Sequence, residues 1–222
     1  MDKYVIKQTS DGSNTIYLPE LDETYHSVHG AIQEARHVFL RHGLNHFAGQ
    51  TDLNILEVGL GTGLNALLTL LEAQKINQMI HYTAIEAKPL DEQTIALLNY
   101  QEAIGLTEEE CGYFNRIHQS PWEDDNRLTS FFNFRKHHVS IQDFKTDDSV
   151  NLIFFDAFGP RVQPEMWEEG IFRKLYQILT PGGVLVTYCA KGSVKRTLKA
   201  VGFDVEALPG PPGKREMTRA MK

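Results

Sequence analysis

Residues 54–65 read NILEVGLGTGLN, an apolar run carrying one carboxylate that gives way to three alternating glycines and then to helix-forming residues. Ile55, Leu56 and Val58 predict a buried parallel strand, and residues 64–73 (LNALLTLLEA) predict the helix packed on it. A strand that ends in glycine and turns at once into a helix makes a cradle for a nucleotide. Gly59, Gly61 and Gly63 carry no Cβ, so the turn is tight, a ligand approaches the backbone closely, and N–H groups at the helix start point at it. The spacing is G-x-G-x-G rather than the dinucleotide G-x-G-x-x-G, and Glu57 stands two residues before the first glycine. That variant favours S-adenosylmethionine over NAD. Taken alone, the pattern also fits an ordinary strand-to-helix connection. It gains meaning from residues 79–87 (MIHYTAIEA), a second strand ending in Glu86, whose carboxylate would accept both hydroxyls of a ribose.

The 222 residues suffice for one α/β domain with an extension, and 41% of them are hydrophobic, enough to fill its core. A net charge of −7 argues against bulk attraction to nucleic acid but leaves room for a local basic patch. Cys111 and Cys189 lie far apart and outside any C-x-x-C pattern, which suggests neither a disulfide framework nor a zinc site. The polar N-terminus lacks the apolar core of a signal peptide, and no stretch approaches 18 apolar residues. A cytoplasmic protein with no membrane partner is expected.

Residues 1–48 read as an N-terminal extension and residues 49–222 as a Rossmann-like domain, together one compact unit. The extension holds a hairpin over residues 3–18, turning at SDGSN, and a helix over 32–45 that Gly43 ends. His26 and His29 sit in a glycine-containing segment that could lie over the ligand; His42 and His46 share a helical face but have no third ligand, so no metal is expected. Beyond the second strand, residues 92–104 predict a helix, and residues 105–135 form the least regular part, either an insertion over the site or a surface excursion. Residues 135–138 (RKHH) read as a solvated basic face. Residues 139–143 predict a short strand ending in Asp143, where adenine is commonly recognised in methyltransferases of this shape. Residues 150–155 (VNLIFF) predict the central fourth strand, which delivers Asp156 to the crevice already holding Gly59 and Glu86.

A helix over 164–179, a P-G-G turn, a strand over 184–188 and a helix over 194–201 follow. Strands at 203–208 and 215–219, joined without a helix, must be antiparallel. The fold class is therefore α/β, a class I S-adenosylmethionine-dependent methyltransferase: a mostly parallel seven-stranded sheet with a terminal antiparallel hairpin, plus an N-terminal β-hairpin extension.

With these residues placed, the chain resembles the methyltransferase half of the bacterial enzyme family that makes 5-methylaminomethyl-2-thiouridine at the wobble position of tRNA. The resemblance rests on YHSVHGAIQEARHVFL, ILEVGLGTGLN, YTAIEAKP, IFFDAFGPRVQPEMW, LTPGGVLVTYCAKGSVKRTLKAVGF and GPPGKREM, which span nearly the whole sequence. It implies S-adenosylmethionine as cofactor, with no FAD and no metal, and N-methylation of the 5-aminomethyl group of a tRNA wobble uridine. Larger members carry a second, FAD-dependent oxidase domain, for which 222 residues leave no room, so the aminomethyl precursor would come from elsewhere.

By the same resemblance Tyr25, Ser27 and Glu34 are pocket residues. Asp156 is expected to orient the acceptor amine and take its proton, or else to hold the cofactor's amino group or cap the turn after it. Glu57 would support the glycine loop or the methionine moiety, and Phe158 would face the base or the sulfonium, or join the core. Lys191, Lys195, Arg196, Lys214, Arg215 and Arg219 are available to position tRNA phosphates, or are simply a solvated surface. Methylation of another amine, aminopropyl transfer, and a non-catalytic adenosine-binding module are the competing readings.

Overall fold

A computed structural model describes residues 4–222. Lys3, the first residue of the expected hairpin, lies outside the described residues. Strands β1 (Val5–Gln8), β2 (Asn14–Leu18) and β3 (Glu23–Thr24) form a small antiparallel sheet. Asp11 fixes its first turn, accepting from the Thr9 hydroxyl at 2.8 Å and the Ser13 N–H at 3.1 Å. Its other oxygen accepts from the Gln33 N–H at 2.9 Å, which ties the turn to α1 (Ala31–Ala35). The helix expected over 32–45 is broken into α1, a π-helical stretch Arg36–Arg41 and a 3-10 turn Leu44–Phe47.

The remaining strands are β4 (Asp52–Val58), β5 (Met79–Ile85), β6 (Asn126–Thr129), β7 (Phe132–His137), β8 (Val150–Phe155), β9 (Leu179–Thr187), β10 (Asp204–Pro209) and β11 (Glu216–Met221). They form one sheet in the order β10-β11-β9-β8-β4-β5-β7-β6. The five strands from β9 to β7 run parallel, and an antiparallel pairing closes each edge. Helices α2 (Leu64–Ile76), α3 (Glu92–Ile95), α4 (Tyr100–Ile104), α5 (Glu108–Gln119), α6 (Glu169–Ile178) and α7 (Gly192–Val201) complete the chain. No helix among the described residues is long and apolar enough to cross a membrane.

Successive side chains of a strand point to opposite faces, and the central strands bury both. Ile55, Tyr82, Phe134 and Phe154 pack with Leu64, Leu67 and Leu68 of α2 on one side. Leu56, Val58, Ile153 and Phe155 pack with Phe172 and Leu175 of α6 and Leu198 of α7 on the other.

The half of the sheet beyond β5 departs from expectation. Residues 139–143 are a loop; the strand beside β5 is β7, and β6 adds an eighth strand to the expected seven. Within the supposedly irregular 105–135, α5 begins with a capping box in which the Thr107 hydroxyl and the Glu110 carboxylate each satisfy the other's backbone N–H. The helix expected over 92–104 is two short ones, and that over 164–179 is a 3-10 turn Pro164–Trp167 followed by α6.

Lys136 corrects the reading of 135–138 as a solvated face. Its side chain is only 2% exposed. The ammonium donates to the carbonyls of Ile117 and His118 at 3.1 and 2.5 Å and lies 4.6 Å from the centre of the Trp122 ring. Carbonyls in the last turn of a helix have no partner within it, and Lys136 supplies one from the neighbouring strand. Burial pushes its pKa down to about 8 from the ordinary 10.5.

Lys136→Met leaves the His118 carbonyl without its donor and the Ile117 carbonyl with only the Ser120 hydroxyl, and it is expected to lower stability by about 1–3 kcal/mol in denaturant unfolding. Between pH 8 and 10.5 the unfolded state holds a proton at Lys136 that the folded state has released, so wild type gains stability on Lys136→Met as pH rises through that window. A gap that is constant or shrinking there contradicts the buried placement.

Candidate active site

β4 ends at Val58, and the chain turns through Gly59, Gly61 and Gly63 at φ of +91°, +49° and +73° before entering α2. The N–H groups of Gly59 and Leu60 both donate to the carbonyl of Ile85 at 3.0 and 3.2 Å, which pins the turn to the end of β5. A Cβ on Gly59 would stand 3.0 Å from the carbonyl oxygen of Asp156, and one on Gly61 would stand 3.2 Å from the Tyr25 ring. Positive φ and close neighbours thus both demand glycine. Glu86 follows β5; one carboxylate oxygen accepts from the Gly61 N–H at 2.9 Å and the other from the Lys88 N–H at 2.8 Å.

Beneath the turn, Asn65 in the first turn of α2 joins two carboxylates. Its amide nitrogen donates to Glu57 at 2.9 Å and to Asp156 at 2.8 Å. Glu57 is fully buried and does not line the cavity; burial holds its carboxyl well above the usual range. Asp156, directly after β8, does face the cavity. Burial first, and the nearby Glu34 charge second, push its carboxyl up to about 7, against the Asn65 hydrogen bond and the Lys214 charge.

The cavity holds about 550 Å³ and lies beyond the carboxyl ends of β4, β5 and β8, where an open parallel sheet binds its ligand. Gly59, Gly61 and Glu86 form one wall. Tyr25, Phe158, Tyr188 and Asp156 line it as well, with the Tyr25 and Phe158 rings edge-to-face at 5.0 Å. Ser140, Ile141 and Gln142 line another part of the wall. Asp143 does not reach the cavity. It is exposed and closes a turn with Ser140, whose hydroxyl donates to it at 2.7 Å, because 139–143 is a loop rather than a strand.

Ser27 and Glu34 also stand outside the cavity lining. The buried Glu34 carboxylate accepts the Ser27 N–H at 3.0 Å and the Lys214 ammonium at 2.5 Å. Lys214 therefore points inward and is not free to meet phosphate. Lys195 pairs with Glu216 at 2.6 Å and Arg219 with Glu206 at 2.7 Å. Lys191, Arg196 and Arg215 are exposed. The six cations do not converge on one patch, because half of them neutralise local carboxylates.

Sequence reading missed Asn65, although a polar residue at the head of an otherwise apolar helix was a signal. It also missed the grip on Thr62. The His26 ring hydrogen-bonds the Thr62 hydroxyl at 2.8 Å, and His118 of α5 meets its carbonyl at 3.1 Å. Burial pushes both imidazoles down to about 4, so both are neutral near pH 7.

A family model described as S-adenosyl-L-methionine-dependent methyltransferase matches residues 123–222. The chain is 32% identical, over 96% of its length, to the tRNA 5-methylaminomethyl-2-thiouridine biosynthesis bifunctional protein MnmC of Cupriavidus metallidurans. It is 30% identical, over 93% of its length, to the protein of the same name from Ralstonia nicotianae. It spans 33% of the length of each of these relatives. The crystal structure of MNMC2 from Aquifex aeolicus matches with a TM-score of 0.80 over 99% of this chain and 70% of that one, at 24% identity. Spermidine synthase from Thermotoga maritima matches with a TM-score of 0.56 over 100% of this chain and 72% of that one, at 12% identity. At these identities the two structures establish the fold. The chain is thus similar along nearly its whole sequence to one third of these relatives, and residues 123–222 match the methyltransferase family model.

Proposed function

We propose that this protein methylates the exocyclic amine of 5-aminomethyluridine or its 2-thio form at the tRNA wobble position, using S-adenosylmethionine and giving the 5-methylaminomethyl product. The observation that carries the reading is Asp156, a carboxylate held by Asn65 in a cavity that the glycine turn, Glu86 and the rings of Tyr25, Phe158 and Tyr188 also line.

The cavity fits the cofactor on its own terms. The glycine turn leaves open the space that Cβ atoms would take, and Glu86 keeps lone pairs for ribose hydroxyls. S-adenosylmethionine supplies a methyl group already activated by a sulfonium, so the protein's part is to place an amine in line with it.

An alkylammonium has an ordinary pKa of about 10.4 and no lone pair while charged. Asp156 holds the ammonium, accepts one proton from it and releases that proton to solvent. The bound cofactor would give its methyl carbon to that amine and leave as a neutral thioether, its positive charge passing to the methylated nitrogen. A carboxyl that titrates near 7 is well matched to such a transfer at neutral pH. Tyr25, Phe158 and Tyr188 offer ring faces and edges to a base. Gln142 and Ile141 take the adenine position that Asp143 does not reach. Arg215, Lys191 and Arg196 are the exposed cations left for phosphate.

Labelled methyl should pass to tRNA bearing wobble aminomethyluridine and not to the same tRNA lacking that group. Transfer to neither, with cofactor bound, contradicts the tRNA reading. Gly61→Val drives side-chain carbons at the Tyr25 ring from a positive φ and should weaken S-adenosylmethionine binding at least about tenfold by calorimetry; unchanged affinity would move the cofactor elsewhere. Asp156→Asn should lower kcat about 10²–10⁴-fold while leaving cofactor affinity within about threefold. In wild type kcat/KM should rise with pH through about 7, as Asp156 loses its proton, and that inflection should vanish in the variant. Loss of cofactor affinity with kcat retained would instead assign Asp156 to the cofactor's amino group.

A further inference from the structure

We infer that the Glu34–Lys214 ion pair is a positioning device for Asp156, setting the charge that the site's carboxylate carries. The inference deepens the proposed reaction and rests on it for its catalytic consequence. Glu34 lies on α1 in the N-terminal extension, and Lys214 lies in the turn between β10 and β11. The two are 180 residues apart, and their charged atoms meet at 2.5 Å. Glu34 is 6% exposed and its second oxygen is taken by the Ser27 N–H. The Lys214 ammonium also lies 4.1 Å from the centre of the Tyr188 ring. Tyr188 in turn lines the cavity, and its hydroxyl donates at 2.9 Å to the carbonyl of Ala157, the residue after Asp156.

The turn is built to hold this arrangement. Gly210 donates to the Arg215 carbonyl at 3.0 Å, Lys214 donates to Pro211 at 2.9 Å, and Gly213 at φ +82° packs directly on the His29 ring. A lysine serving tRNA phosphate needs none of this. Only Glu34 of the pair is buried, the Lys214 side chain being 32% exposed, and ion pairs with a buried partner are often no more stabilising than apolar residues of the same volume.

The pair is placed to act electrostatically because burial pushes the other titratable groups packed around Asp156 toward their neutral forms, with Glu86 the further carboxylate that lines the same cavity. Burial raises the Glu57 carboxyl on β4 well above the usual range, and it pushes up Tyr82 on β5, Tyr100 on α4 and Tyr188 after β9. His26, which faces the pair with Asp11 beyond it, is pushed down to about 4. Glu34 and Lys214 act on Asp156 in opposite directions, the carboxylate raising its pKa and the ammonium lowering it.

The test follows the Asp156 carboxyl carbon by NMR through a pH titration of the ligand-free protein, with Asp156→Asn identifying the resonance. Lys214→Met should raise the midpoint by about one unit and Glu34→Gln should lower it by about one unit. The double variant should return it close to wild type, and Lys214→Arg should leave it in place. Midpoints that do not move, or that move the same way in both single variants, overturn the inference. Should Lys214→Met fail to fold, the downward shift in Glu34→Gln decides alone. No methyl acceptor is involved, so failure of the tRNA reading would appear separately, as absent label transfer with the midpoint shifts intact.

Discussion

One side-chain amide holds the site together. Asn65 donates to Glu57 at the end of β4 and to Asp156 after β8, and it does so from the first turn of α2. Two carboxylates that share one amide in a buried setting cannot both be charged at low cost. Burial holds the deeper one, Glu57, well above the usual carboxylate range, and the one facing the cavity exchanges its proton near neutral pH. Moving Asn65 would disconnect the glycine turn from the carboxylate that this turn presents a ligand to.

Around that centre the chain ends cooperate across the sheet. His26 from the extension and His118 from α5 grip Thr62 of the glycine turn from two sides. Arg161, in the loop after Asp156, donates to the carbonyl of Asp22 at 2.8 Å and to the Glu23 carboxylate at 3.2 Å. The turn it holds carries Glu20 and Leu21, which line the cavity along with Tyr25. The extension therefore supplies walls that a bare nucleotide-binding sheet lacks. The same extension brings Glu34 to Lys214, so its two contributions, shape and charge, come from one short stretch of sequence.

The central strands were legible because they are plain apolar runs ending in glycine or acid: β4, β5 and β8 all delivered Gly59, Glu86 and Asp156 to one cavity as expected. The antiparallel pair β10 and β11 followed from the missing helix between them. β7 was not legible. Its sequence FNFRKH places a lysine at a buried position, and nothing local reveals that a helix end 18 residues upstream provides the carbonyls that satisfy it. Helix α5 hid for a related reason, since only Tyr113, Phe114 and Ile117 of its EEECGYFNRIHQ face the core. Misplacing that strand carried Asp143 into the predicted adenine site, whereas in the structure Gln142 and not Asp143 lines the cavity. The pairing of Glu34 with Lys214 depends on two chain segments meeting in three dimensions, and local pattern carries no trace of such a meeting.

The central claim is that the cavity beyond β4, β5 and β8 holds the cofactor between the glycine turn and Asp156. A crystal structure with S-adenosylhomocysteine tests it most directly. The account predicts the ribose hydroxyls on Glu86, the adenine beside Ile141 and Gln142, and the sulfur beside Asp156, Tyr25 and Phe158. A ligand bound away from the glycine turn, or one whose sulfur is walled off from Asp156, would contradict it.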